Sequence, residues 1–144
     1  METIYVVSAC LLGDNCKYNS GNNRNESIIK FLEDKKYYKI CPETMGGLTM
    51  PRLPSEIVGS GKNKRVIASD GTDVTEEFVR GAELSAKVAK KHNATAAILK
   101  AKSPSCGHKK IYDGTFSKCL VDGNGIACEL LLDCGLEVFT EGDF

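Results

Sequence analysis

Four apolar residues, Ala96-Ala97-Ile98-Leu99, run almost directly into Ser103-Pro104-Ser105-Cys106-Gly107. An unbroken apolar run of this length is the pattern of a strand covered on both faces, as parallel sheets require. The pentapeptide after it is a tight turn. Pro104 removes a donor and fixes φ, and Gly107 tolerates backbone placements that other residues resist. The segment thus predicts a buried strand that delivers two hydroxyls and one thiol to its carboxyl end. In open α/β sheets, ligands bind at that edge.

Two further segments repeat the arrangement. Ile4-Tyr5-Val6-Val7 reads as a central strand and exits through Ser8-Ala9-Cys10-Leu11-Leu12-Gly13. Tyr37-Tyr38-Lys39-Ile40 reads as a second strand and runs into Cys41-Pro42-Glu43, then Gly46-Gly47, a pair that lets a ligand approach the backbone or simply makes a turn. A fourth strand is expected at Leu136-Glu137-Val138-Phe139.

Helices are expected between these strands. Glu26 to Asp34 carries Ile28, Ile29, Phe31 and Leu32. Asp73 opens the main helix, with Glu76 completing a capping box, and Val74, Phe78, Ala82, Ser85, Val88 and Ala89 fall on one face up to about His92. Asn124 to Asp133 forms the last helix, stopped by Gly135. Asp113-Gly114 within Lys110 to Ser117 predicts a β-hairpin. Pro51 to Ile57 reads as an irregular connection in which Arg52 pairs with Glu56, and Gly59 to Asp70 as an exposed basic excursion.

Strands alternating with helices define an α/β chain. Residues 1–144 are expected to form a single domain, a three-layer Rossmann-like fold with a mainly parallel sheet of order 2-1-3-4 plus the β-hairpin. In that order Cys10, Cys41 and Cys106 converge at one edge. The formal net charge is zero, and no long apolar run is present, so neither a nucleic-acid partner nor a membrane is expected and the cytoplasm is the default.

Seven cysteines, at 10, 16, 41, 106, 119, 128 and 134, cannot all pair, and no CxxC occurs. Three strand-end thiols can hold zinc with one open position, can hold an iron–sulfur cluster, or can act as reactive thiols without metal. Spacing leaves these open. The softness of the donors favours zinc or iron–sulfur over magnesium or calcium.

Ser8-Ala9-Cys10-Leu11-Leu12-Gly13, Cys41-Pro42-Glu43 with Gly46-Gly47-Leu48, Pro51-Arg52-Leu53-Pro54, Asp73-Val74-Thr75, Ser103-Pro104-Ser105-Cys106-Gly107 and Tyr112-Asp113-Gly114-Thr115-Phe116 resemble, in order, the DUF523 family, which includes the thiouracil desulfidases. The resemblance implies a [4Fe-4S] cluster held by Cys10, Cys41 and Cys106, with one iron free for the sulfur of a small thiolated substrate. It implies a catalytic acidic residue at Glu43 and a catalytic serine at Ser103. Cys16, Cys119, Cys128 and Cys134 match no ligand position. The expected activity is non-redox removal of sulfur from thiouracil or a related thiolated nucleobase. A zinc-dependent hydrolase using the same thiols and a non-catalytic iron–sulfur scaffold are the alternatives.

Overall fold

Alternation of apolar runs with amphipathic segments builds a four-stranded parallel sheet. A computed structural model describes residues 2–144. The strands are β1 (Ile4–Ser8), β2 (Lys36–Ile40), β5 (Ala96–Leu99) and β8 (Glu137–Thr140), in the order β2-β1-β5-β8 and all parallel. This is the 2-1-3-4 order expected. Ser8 lies opposite Ile40, and Val7 lies between Lys39 and Ile98, so three neighbouring strands end level.

The strands are buried because helices cover both faces. Val6, Ala97 and Leu99 pack on one side against Ala86 and Ala89 of α3 (Thr75–Lys91) and Leu131 of α4 (Ile126–Asp133). Val7 and Ile98 point the other way, onto Leu11 and onto Ile28 and Leu32 of α1 (Glu26–Leu32). The result is three layers.

Two antiparallel hairpins lie beside the sheet. β3 (Ser55–Val58) pairs with β4 (Arg65–Ala68), and β6 (Lys110–Tyr112) with β7 (Leu120–Asp122). The reading of 59–70 as an exposed excursion holds for residues 59–63 and is corrected at Arg65–Ala68, which form a strand with Val66 and Ala68 buried. Val66 is fully buried in a cluster with Ile57, Phe78 and Ile111, which anchors the basic stretch to α3. The second hairpin is present, but its return strand is Leu120–Asp122 and not the residues just after Asp113-Gly114. Asp113 accepts from the amide and hydroxyl of Thr115, and Glu56 accepts from the amides of Gly114 and Phe116 at 2.9 and 3.2 Å. These bonds fold 113–116 into a wider loop. The capping box expected at Asp73 and Glu76 does not form: Asp73 instead accepts from the amide and hydroxyl of Thr75 and pairs with Arg65.

One close approach sets the position of the second strand's exit. A Cβ on Gly81 of α3 would lie 1.7 Å from the Pro42 carbonyl oxygen, and one on Gly46 would lie 1.8 Å from the Glu77 carbonyl oxygen. The one-turn helix α2 (Pro42–Met45) therefore presses backbone to backbone on α3. Gly46 serves helix packing rather than access for a ligand.

Candidate functional site

Each of the three strand exits is shaped by its own hydrogen bonds. After β1 the chain enters a 3-10 turn, Ala9–Leu12, closed by Gly13 at φ 99°. Cys10 is half-buried there, and the Asn23 amide nitrogen Nδ2 donates to its Sγ at 3.4 Å. After β2, Cys41 caps α2, and Pro42 occupies the first helical position, where its missing N–H costs nothing. After β5, the chain turns through Ser103 to Gly107. The Ser103 hydroxyl accepts from the amides of Ser105 (3.1 Å) and Cys106 (3.0 Å). Gly107 is needed for space, since a Cβ there would lie 2.5 Å from the Ser103 carbonyl oxygen. The first amides of α4 bind the carbonyls of Pro104 and Ser105, fixing the turn from behind. Cys106 is 4% exposed and accepts from the Ser8 hydroxyl at 3.2 Å.

All three exits open into one cavity of about 480 Å³, within the range of small-molecule sites. Cys10, Cys41, Cys106, Glu43 and Ser103 all line it. Cys119 is exposed, Cys128 is buried in the core and Cys134 ends α4; none of these three lines the cavity.

The cavity also holds Arg52, Ser105 and Cys16, whose roles or positions the sequence did not foretell. Arg52 pairs with Glu43 (Nε to Oε1, 3.1 Å) and not with Glu56, which is occupied by the amides of the 113–116 loop. Arg52 Nη2 also donates to the Cys16 carbonyl at 2.9 Å. Ser105, rather than Ser103, donates to Glu43 Oε2 at 2.9 Å, and the two serine hydroxyls lie 2.9 Å apart. A polar chain thus runs Arg52–Glu43–Ser105–Ser103. Cys16 is the third. Its sequence neighbourhood, a polar Asn- and Gly-rich loop, carries no local sign of this placement.

The thiols are electrostatically unequal. Cys16 lies near both Cys10 and Cys41. Hydrogen bonding from Cys16 lowers Cys41 to about 6, against the opposing effect of burial. The same contact, with the Asn23 amide, lowers Cys10. Cys16 itself is pushed far up by donating to Cys10 and Cys41 and by burial. Burial raises Cys106 to about 12.

This donor set fits an iron–sulfur cluster: soft thiols from three separate strand ends, spread around a cavity of ample size. Among the described residues, no three His, Cys, Asp or Glu side chains gather closely enough to hold a single metal ion.

The geometry defines an α/β protein with a thiol-lined site at the carboxyl edge of its sheet. A family model described as 2-thiouracil desulfurase matches residues 5–143. The chain belongs to this family, DUF523. It is 40% identical to the uncharacterized protein YbbK of Bacillus subtilis (strain 168), over 96% of this chain and 95% of the relative. A solved structure, the [4Fe-4S]-dependent thiouracil desulfidase TudS (DUF523Vcz), superposes with a TM-score of 0.88 at 36% identity, covering 100% of this chain and 93% of that one.

Proposed function

We propose that this protein is a [4Fe-4S]-dependent desulfidase that removes sulfur from thiouracil or a related thiolated nucleobase. The observation that carries this reading is the placing of three strand-end thiols and the Glu43–Ser105–Ser103 hydrogen-bond chain on the wall of one cavity. Cys10, Cys41 and Cys106 hold the cluster. When bound with three thiolates, it supplies a Lewis-acidic iron to the soft thiocarbonyl sulfur.

The chain's own residues supply the rest. Water adds at the thiocarbonyl carbon and sulfur leaves as sulfide, so the carbon ends as a carbonyl and no electrons change hands. Glu43 takes the proton from water and returns one to the departing group. Arg52 and Ser105 each hold one oxygen of Glu43, which fixes the carboxylate's direction. Ser103 holds the turn and orients the Ser105 hydroxyl. Tyr18, Tyr112 and Phe116 give the cavity flat apolar walls suited to a nucleobase.

A mononuclear zinc site fits less well. Zinc–thiolate bonds of about 2.3 Å would require the ligand side chains to gather around one point, and no such group exists among the described residues. No helix among them is long and apolar enough to cross a membrane. All seven cysteines are free, as suits a reducing cytoplasm, where we place the activity on a small-molecule substrate.

The test is anaerobic assembly of the cluster, followed by parallel measurement of sulfide release and thiouracil absorbance. Turnover by wild type that is lost in Glu43→Gln, with the cluster's spectrum retained, supports the reading. A fully loaded wild-type protein that releases no sulfide from any thiolated pyrimidine overturns it.

A further inference from the structure

Ser8 is the last residue of β1 and is 2% exposed. Strand alternation puts it on the same face as Val6, in the layer that α3 and α4 cover. A hydroxyl buried there costs free energy unless it is hydrogen-bonded. Its Oγ accepts from the Lys100 amide at 3.0 Å and donates to Cys106 Sγ at 3.2 Å. The acceptor side is taken by backbone, so the one hydroxyl proton is left for sulfur. Ser105 Oγ lies 3.7 Å from the same sulfur, but its proton goes to Glu43 at 2.9 Å.

Cys10 has a donor of its own. Asn23 lines the cavity, and its backbone amide donates to the Cys10 carbonyl at 2.9 Å. That bond holds Asn23 beside Cys10, and Asn23 Nδ2 donates to Cys10 Sγ at 3.4 Å. A thiolate can only accept, so the nitrogen end of the side-chain amide is the end that suits it. Two of the three proposed cluster ligands, from two different strand exits, thus each receive a neutral hydrogen-bond donor.

We propose that Ser8 and Asn23 are positioning residues that tune the cluster through the sulfurs of Cys106 and Cys10. This rests on the cluster reading above and adds to it what sets the strength of the open iron as a Lewis acid. A hydrogen bond draws electron density from a ligand thiolate, so the sulfur gives less of it to iron. Two effects follow. The iron without a protein ligand binds the soft thiocarbonyl sulfur more tightly. The reduced cluster carries one more negative charge, so the donors stabilise it more than the oxidised one and the reduction potential rises.

Potentiometric titration of the anaerobically reconstituted protein tests this without reference to turnover. Ser8→Ala and Asn23→Ala should each keep full iron and sulfide. Each should favour the oxidised cluster about tenfold more than wild type does, a fall of about 59 mV for one electron. Resonance Raman should show higher iron–thiolate stretching frequencies in both, and thiouracil should bind the loaded variants more weakly. The sign separates tuning from packing: a hydroxyl that only excludes water would, once removed, admit water and raise the potential. Unchanged or raised potentials at full loading overturn the proposal and leave the desulfidase reading standing. If Ser8→Ala fails to load, Asn23→Ala assembled in heavy water decides, because Ser8 is then the remaining one of the two donors. Iron–thiolate modes that shift on deuteration support the proposal, and modes that do not shift overturn it. A wild-type protein that takes up no cluster overturns the cluster reading itself.

Discussion

Arg52 Nε stands 3.1 Å from Glu43 Oε1, and the Arg52 side chain is 9% exposed. The two residues are nine apart in sequence and on either side of a Gly-Gly turn, so the pair fastens the loop after α2 to the proposed acid–base group. Arg52→Ala should leave Glu43 without its cation and release the Cys16 carbonyl. A pair between the exposed and buried limits is worth about 1–3 kcal/mol. Denaturant unfolding should register that loss, and turnover of the loaded protein should fall. Arg52→Lys should recover less than half of the activity, because an ammonium cannot reach Glu43 and the Cys16 carbonyl in the same forked geometry.

Gly81→Ala inserts a methyl group where the Pro42 carbonyl oxygen already stands. Backbone cannot rotate away as a side chain can, so α2 must shift and carry Cys41 and Glu43 with it. The expected cost is about 2 kcal/mol or more. Thermal melting should show the loss, and iron analysis after reconstitution should show incomplete cluster retention. A variant that melts and loads as wild type does would mean that α2 is free to move without consequence.

The two serines should separate in their effects. Ser105→Ala removes the hydrogen bond to Glu43 and leaves the Ser103-capped turn intact. A hydrogen bond to a charged group is worth about 1.5–3 kcal/mol, so turnover should drop roughly tenfold to hundredfold with the cluster's visible spectrum unchanged. Ser103→Ala also strips the acceptor from the Ser105 and Cys106 amides. That variant should lose iron as well as activity. Equal iron retention in the two would contradict the division of roles.

In cluster-free, reduced protein the Cys41 thiol should titrate near 6 rather than near its ordinary value of about 8.5. The thiolate is the reactive form, so the alkylation rate of Cys41 should rise with pH through about 6 and level off above it. The main cause is the hydrogen bond from Cys16. Cys16→Ala should therefore shift the midpoint upward. Peptide mapping across a pH series reads both.

Replacing Cys10, Cys41 or Cys106 with Ala should cripple cluster retention. The same change at Cys119, Cys128 or Cys134 should leave iron content close to wild type, since none of the three lines the cavity. Cys128→Ala should still lower thermal stability, because its side chain is fully buried.

The sheet was legible because each strand is a local signal. Ile4-Tyr5-Val6-Val7 and Ala96-Ala97-Ile98-Leu99 need nothing beyond their own residues to be read as strands. A cysteine in the loop at a strand's carboxyl end stays near that strand's position, which is why a common cavity for Cys10, Cys41 and Cys106 was expected from strand order. What escaped depends on contacts between distant segments. The partner of Arg52 is decided by how the loop between Gly47 and Pro54 folds back, not by the nearest acidic residue. The strand pair β3–β4 is only four residues on each side, and its burial comes from Phe78 and Ile111 elsewhere in the chain. Which of two serines in one pentapeptide touches Glu43 is set by turn geometry. Cys16 sits in a loop with no periodicity, so only the folded chain brings it to the other thiols.

Glu56 binds the amides of Gly114 and Phe116 across 58 and 60 residues of sequence. This contact joins two hairpins that contribute Ser55, Tyr112, Phe116 and Lys118 to the cavity, while the thiols come from the sheet edge. The floor is the sheet edge, and the roof is two hairpins that one carboxylate rivets to each other. Substitutions in the roof can therefore reshape what the cavity admits while the sulfur-bearing floor stays as it is, and a relative with a recut roof would inherit the same chemistry for a different guest.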